Sequence, residues 1–138
     1  MATSVSQLVD WTAFAETRTQ LGGSFIRILG YFREDAATAI AAIEDAMRQR
    51  NAAALVSPAH KLKGEARQFG ADQLAQLAED IEMFARSCVE ARETPEDYVQ
   101  HVVQIRPLLD ETLAAIDAEA NPLMQRQPRF GRRVNYGL

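Results

Sequence analysis

Residues 51–70 read Asn51-Ala52-Ala53-Ala54-Leu55-Val56-Ser57-Pro58-Ala59-His60-Lys61-Leu62-Lys63-Gly64-Glu65-Ala66-Arg67-Gln68-Phe69-Gly70. Leu55, Ala59, Leu62, Ala66 and Phe69 recur at spacings of four, three, four and three, a one-sided apolar stripe of helical period. Asn51 is the expected N-cap, since its side chain can accept from an unpaired first-turn N–H. Gly70 is the expected stop, because glycine takes the left-handed conformation that ends helices. Pro58 removes one backbone donor and is expected to bend the helix just before His60. His60, Lys63, Gly64 and Arg67 stand at i, i+3, i+4 and i+7 and form a second stripe beside the apolar one. The segment is therefore a helix with one buried face and one wet, chemically equipped edge.

The same period extends outward in both directions, with no β-branched run, and predicts five helices and no strand. The first runs from about Val5 to Thr19 with Leu8, Trp11, Phe14 and Ala15 on one face. Gly22 and Gly23 then break the chain, being costly inside a helix. A second helix spans Ser24, its expected N-cap, to Arg50, with Phe25, Ile28, Leu29, Phe32, Ala36, Ile40, Ile43 and Met47 inward. After Gly70 a fourth runs from Asp72 to Arg92 with Leu74, Leu77, Ala78, Ile81, Ala85 and Cys88 inward. Thr94-Pro95-Glu96-Asp97 opens the last, combining a capping threonine, a first-position proline and first-turn acids. Its apolar set is Val99, Val102, Val103, Leu109, Leu113 and Ile116. Pro107 is expected to kink it and Asn121-Pro122 to end it. Four long helices joined by short junctions predict an all-α, up-down antiparallel four-helix bundle, with the short N-terminal helix capping one end. The expected domain is residues 1–120, followed by a basic, flexible tail over 121–138.

Composition narrows the function classes. A chain of 138 residues is one domain by size, long enough to bury a core without disulfide or metal. Cys88 is the only cysteine, which leaves no disulfide and no cysteine cluster for zinc. The N-terminus lacks a basic region followed by an apolar core, and no apolar run nears the ~18 residues of a membrane helix. The expectation is a cytoplasmic protein, not a membrane protein. Residues 121–138 carry Arg126, Arg129, Arg132 and Arg133 and no acid, so with a net charge of −4 overall the first 120 residues carry −8. An acidic body argues against nucleic acid as partner. The only two lysines, Lys61 and Lys63, both stand next to the histidine edge.

That edge suits attack on phosphorus. An imidazole is a good nucleophile near neutral pH, because an unperturbed pKa of about 6.5 leaves much of it unprotonated. One ring nitrogen must be bare and aimed outward, while the other donates its proton to a fixed acceptor. Phosphoryl transfer otherwise requires positioning and charge. Lys63, one turn from His60, can neutralise phosphoryl oxygens; Arg67 adds a longer-range charge; Gly64 leaves the helix surface flat for a large partner.

The run from His60 to Leu74 resembles the signature of histidine-containing phosphotransfer (HPt) domains: His-x-Leu-Lys-Gly, a small residue two further on, then Gly-Ala/Leu-x-x-Leu at the turn. The following segment Leu77-Ala78-Glu79-Asp80-Ile81-Glu82 is similar to the family's next helix, and the resemblance covers roughly residues 8–118. It implies that His60 is the phosphoacceptor, that Lys63 contacts the phosphoryl group and that Gly64 admits a receiver domain. By the same resemblance Glu82 holds the place of the residue that orients the histidine, and Arg86 that of a basic residue one turn on. Lys61, Glu65, Arg67 and Arg86 are the expected partner contacts. Glu65 departs from the pattern, since small residues are common there. The partners implied are response-regulator receiver domains or a hybrid histidine kinase. The chain itself carries no cofactor or metal; magnesium sits on the partner receiver. The expected protein is a monomeric phosphorelay intermediate, neither a turnover enzyme nor a kinase.

Two other classes compete. A non-catalytic HPt-like module would dock receiver or kinase domains without carrying phosphate, which Glu65 and the Pro58 bend would permit. A metal site built from His60, Glu82 and His101 would explain neither Lys63 nor Gly64. His101 otherwise reads as an ordinary surface residue, and the arginine–aromatic run from Arg129 to Tyr136 as a candidate contact for an acidic partner surface.

Overall fold

The computed structural model describes residues 7–120. Six α-helices follow in order: α1 Trp11–Leu21, α2 Phe25–Arg48, α3 Ala52–Gln68, α4 Asp72–Ala91, α5 Val99–Val102 and α6 Ile105–Ala120. Single 3₁₀ turns at Gly22–Ser24 and Glu96–Tyr98 precede α2 and α5. There is no strand among the described residues. The four long helices form the antiparallel bundle, in which α3 packs between α2 and α4.

The apolar stripe of α3 is buried along its whole length: Leu55, Ala59, Leu62, Ala66 and Phe69 are sealed from solvent. Asn51 caps this helix, its Oδ1 accepting from the Ala54 N–H at 3.1 Å, and α3 runs on unbroken through Pro58. At the other end the Gly70 N–H donates to the Arg67 carbonyl at 3.0 Å and the Ala71 N–H to the Ala66 carbonyl at 2.9 Å. This paired closure requires a positive φ at Gly70, here +73°. The turn is also a docking point. The Asp10 N–H donates to the Gly70 carbonyl at 2.7 Å, and a Cβ on Gly70 would lie 2.6 Å from the Asp10 carbonyl oxygen.

The first helix begins at Trp11, later than its periodicity predicts, because Asp10 caps it: Oδ1 accepts from the Thr12 and Ala13 N–H groups, each at 3.1 Å. The predicted start at Val5 lies outside the described residues. Phe14 is buried and Trp11 half-buried, but Ala15 is exposed, since the helix crosses the end of the bundle and offers it a narrow face. A run of aromatic contacts, Trp11 to Phe14 to Phe25 to Phe69 to Phe32, fastens α1 over α2 and the end of α3. The capping role expected for the N-terminal helix is therefore the one observed.

Other boundaries shift for local reasons. Ser24 adopts helical dihedrals and makes no side-chain cap, because the preceding 3₁₀ turn already supplies a helical lead-in. Ile28 is only half-buried; the rest of the predicted α2 set is sealed. The helix ends by bonds from the Arg50 N–H to Met47 and from the Asn51 N–H to Ala46, with Arg50 at φ +54°. Asn51 thus closes one helix and opens the next. Arg92 plays the same left-handed part after α4, at φ +58°.

The last predicted helix is two. The chain leaves helical geometry at Val103–Gln104 and re-enters at Ile105. Pro107, third residue of α6, has no N–H to donate to the Val103 carbonyl, so the break falls where that bond would lie. In the first turn of a fresh helix the missing donor costs nothing. Across the break the buried stripe keeps helical phase through Val102, Ile105, Leu109, Thr112 and Ile116, so Ile105 and Thr112 join the core while Val99 and Val103 face outward, 39 % and 57 % exposed. The Thr112 hydroxyl is satisfied by the Leu108 carbonyl at 2.7 Å. Thr94 does not cap, since the first turn starts beyond it at Glu96. Arg33 pairs with Asp117 across α2 and α6 at 2.5 Å, and Arg106 with Glu44 at 2.8 Å. No helix among the described residues is long and apolar enough to cross a membrane. The Asn121-Pro122 stop and the arginine-rich tail lie outside the described residues.

Candidate functional site

The wet edge of α3 forms as its spacing predicts. Ala59 and Leu62 hold the helix against the core, which turns His60 to solvent with its side chain 62 % exposed. Gly64, one turn on, has open space where a Cβ would stand. The ring leans on α4: His60 Nδ1 lies 3.0 Å from Oε2 of Glu82.

Glu82 is the centre of the arrangement. Its side chain is 3 % exposed, buried at the α3–α4 contact. The Lys63 ammonium lies 2.8 Å from Oε1, an ion-pair contact whose angle departs from that of an ideal hydrogen bond. Arg86, one turn along α4, donates to Oε2 from Nε at 3.0 Å and Nη2 at 2.8 Å. Burial alone would raise the carboxyl's pKa. The bonds from Lys63, Arg86 and His60 outweigh it and hold the value at about 2. The carboxylate is ionised near neutral pH and can only accept. Nδ1 therefore donates to it, and in the neutral imidazole Nε2 is the nitrogen that keeps its lone pair.

The remaining predicted residues divide between two flanks. Toward α4, Arg67 pairs with Glu79. Toward α2, Glu65 is half-buried beside Asp35, and burial together with the Asp35 carboxyl pushes its pKa up, against a smaller lowering by Lys61. Lys61 is exposed. His101 stacks on Tyr98 with ring centroids 3.8 Å apart. No group of three or more His, Cys, Asp or Glu side chains among the described residues could hold a metal ion, so His60, Glu82 and His101 do not assemble as ligands.

Two features escape the sequence. Lys63 does not stand free beside the ring; its side chain is 17 % exposed and turned onto Glu82. Arg86 binds that same carboxylate. The i, i+4 spacing of Glu82 and Arg86 signals their pairing, but convergence of both cations on one carboxylate depends on the register between α3 and α4. Between α3 and α4, Ala53, Val56 and Val89 line a groove bordered by Arg86 and Glu90.

Comparison with known proteins identifies the family and the fold. The family model described as Hpt domain matches residues 27–119. The crystal structure of histidine-containing phosphotransfer protein B (HptB) from Pseudomonas aeruginosa PAO1 superposes with a TM-score of 0.72 at 20 % identity, covering 83 % of this chain and 95 % of that one. At that identity the likeness speaks for the fold. No curated protein matches the chain. The family model spans well over half of the sequence and includes α3, α4 and every residue gathered at Glu82, and the chain belongs to the Hpt domain family.

Proposed function

We propose that this protein is a phosphorelay intermediate that carries a phosphoryl group on Nε2 of His60, taken from one receiver-domain aspartate and passed to another. The observation that carries the reading is the bond between Nδ1 of a solvent-facing ring and a buried, ionised carboxylate. In the transfer, the Nε2 lone pair attacks phosphorus while the bond from phosphorus to the aspartyl oxygen breaks, and the carboxylate leaves with that electron pair. The ring becomes cationic as the N–P bond forms, with the proton still on Nδ1, and Glu82 stabilises that charge. In the reverse direction the ring leaves as neutral imidazole. No proton needs to move in either step.

Lys63, one turn from His60, supplies the ammonium that meets the phosphoryl oxygens. Gly64 leaves room for a receiver's loops, with Lys61 and Arg67 as charged contacts at the rim. The groove of Ala53, Val56 and Val89, which Arg86 borders, offers a receiver an apolar foothold. Magnesium belongs to the receiver. The test is incubation with a phosphorylated receiver. An acid-labile, base-stable label should appear on the unsubstituted chain and be absent from His60→Gln; label persisting in that variant rejects the assignment.

A further inference from the structure

Lys63 and Arg86 both contact Glu82, yet they do not occupy it alike. Arg86 takes Oε2 with two N–H groups, whereas Lys63 sits alone on Oε1. Two formal positive charges thus face one negative. The phosphoryl group on Nε2 would be outside, on the exposed side of the ring, so an ammonium held on Oε1 is matched to the wrong anion. A buried carboxylate stripped of every cation is strongly destabilising, whereas one that keeps a two-bond guanidinium is not. The two residue types suit the two tasks: the planar guanidinium holds a fixed geometry, and the ammonium is a compact charge on a flexible stem.

We infer that Arg86 is a positioning residue that neutralises Glu82 on Lys63's departure, so that Lys63 is handed over from Oε1 to the phosphoryl group on His60. The inference rests on the phosphoacceptor reading above. Without Arg86, Lys63 is the only cation on a buried carboxylate until the ring itself gains charge, and it is held there as transfer begins. With glutamine at position 82 no counterion is required, so Arg86 becomes dispensable while the amide oxygen still accepts from Nδ1.

The test uses phosphoramidate, a small donor that needs no docking surface. Nε2 attacks its phosphorus, the P–N bond breaks and ammonia leaves. Uptake at His60 is followed through the ring's carbon-bound proton resonances. Arg86→Gln should slow uptake by roughly tenfold in the native background, but by no more than ~2-fold when added to Glu82→Gln, a non-additivity that marks residues acting on one another. The Lys63 side-chain resonances should shift on phosphorylation of the unsubstituted chain and stay still in Arg86→Gln. Should Arg86→Gln fail to fold, Arg86→Met, which keeps an unbranched stem without the charge, makes the same comparison in both backgrounds. Equal slowing in both backgrounds, no slowing in either, or Lys63 resonances that ignore phosphorylation would overturn the handover. Absence of label at His60 in the unsubstituted chain would instead bring down the phosphoacceptor reading, and the handover with it.

Discussion

At the scale of single residues, the chemistry turns on what Glu82 can accept. Its carboxylate fixes the His60 tautomer through one oxygen at 3.0 Å, a task an amide oxygen can also perform and a methyl group cannot. Glu82→Gln should therefore keep phosphoryl uptake from a receiver within about tenfold of the native rate, while Glu82→Ala should lose roughly a hundredfold, since a misoriented nucleophile forfeits positioning. Stopped-flow transfer from a labelled receiver distinguishes them; equal losses would mean that Nδ1 needs no acceptor. Gly64 makes a second prediction with two opposite signs. Nothing in the chain lies within 4 Å of a Cβ placed there, and alanine is the better helix former by about 0.5–1 kcal/mol. Gly64→Ala should raise the melting temperature yet slow transfer from a receiver, about tenfold, because the added methyl stands only in the partner's way. A variant that transfers at the native rate would remove the access role. Of these residues, the placement of His60 and Gly64 on the wet edge of α3 was legible from spacing. Lys63's contact was not, because where a flexible ammonium settles depends on a carboxylate nineteen residues away in another helix.

At the scale of elements, α3 was the most legible because its stripe and both its ends carry local signals: a capping asparagine and a stop glycine. The final helix was the least. The buried stripe runs through Val102, Ile105, Leu109, Thr112 and Ile116 in one helical phase despite the break before Pro107, and leaves Val99 and Val103 in solvent. Apolar character alone favoured the valines over Thr112, whose hydroxyl is satisfied within the helix. The ends expected at Arg50 and Arg92 fall within two residues of those observed, but the left-handed dihedrals that these arginines take are announced by no residue preference. Gly70 is different, since its conformation and its surroundings both exclude a side chain. A Cβ would stand 2.6 Å from the Asp10 carbonyl, which is backbone and part of the joint that seats α1. Gly70→Ala should cost about 2–4 kcal/mol, combining left-handed strain with displacement of the N-terminal segment. Urea denaturation would show it as a lower midpoint; an unchanged midpoint would mean that α1 is not held by this turn.

At the scale of the whole molecule, the bundle follows from four amphipathic helices with short junctions, and so its class was readable. The charge organisation was readable only in sum. The acidic body does not repel itself evenly, because several of its acids are committed to cations: Glu82 to Lys63 on α3 and to Arg86 in its own helix, and, between helices, Glu44 to Arg106 and Asp117 to Arg33. This makes stability depend on pH in a calculable direction. Glu82's carboxyl is held at about 2 when folded, against an ordinary 4.5. A carboxyl depressed by folding contributes stability that is complete above its unfolded value and is lost as pH falls toward its folded one. The window is therefore about pH 4.5 down to 2, and for a nearly sealed group the contribution is on the order of 3 kcal/mol. Glu44, lowered by its bond to Arg106, acts in the same sense. Glu65, raised by burial and by Asp35, acts in the opposite sense, stabilising below its ordinary value and withdrawing that stability as pH rises through the folded one. The Glu82 contribution can be isolated by comparison with Glu82→Gln, which cannot titrate. Between pH 5 and 2.5 the unfolding free energy of the native chain should fall more steeply than that of the variant, by on the order of 2–3 kcal/mol across the interval. Two parallel curves would show that the cations gathered on Glu82 do no more in the folded protein than water does in the unfolded chain.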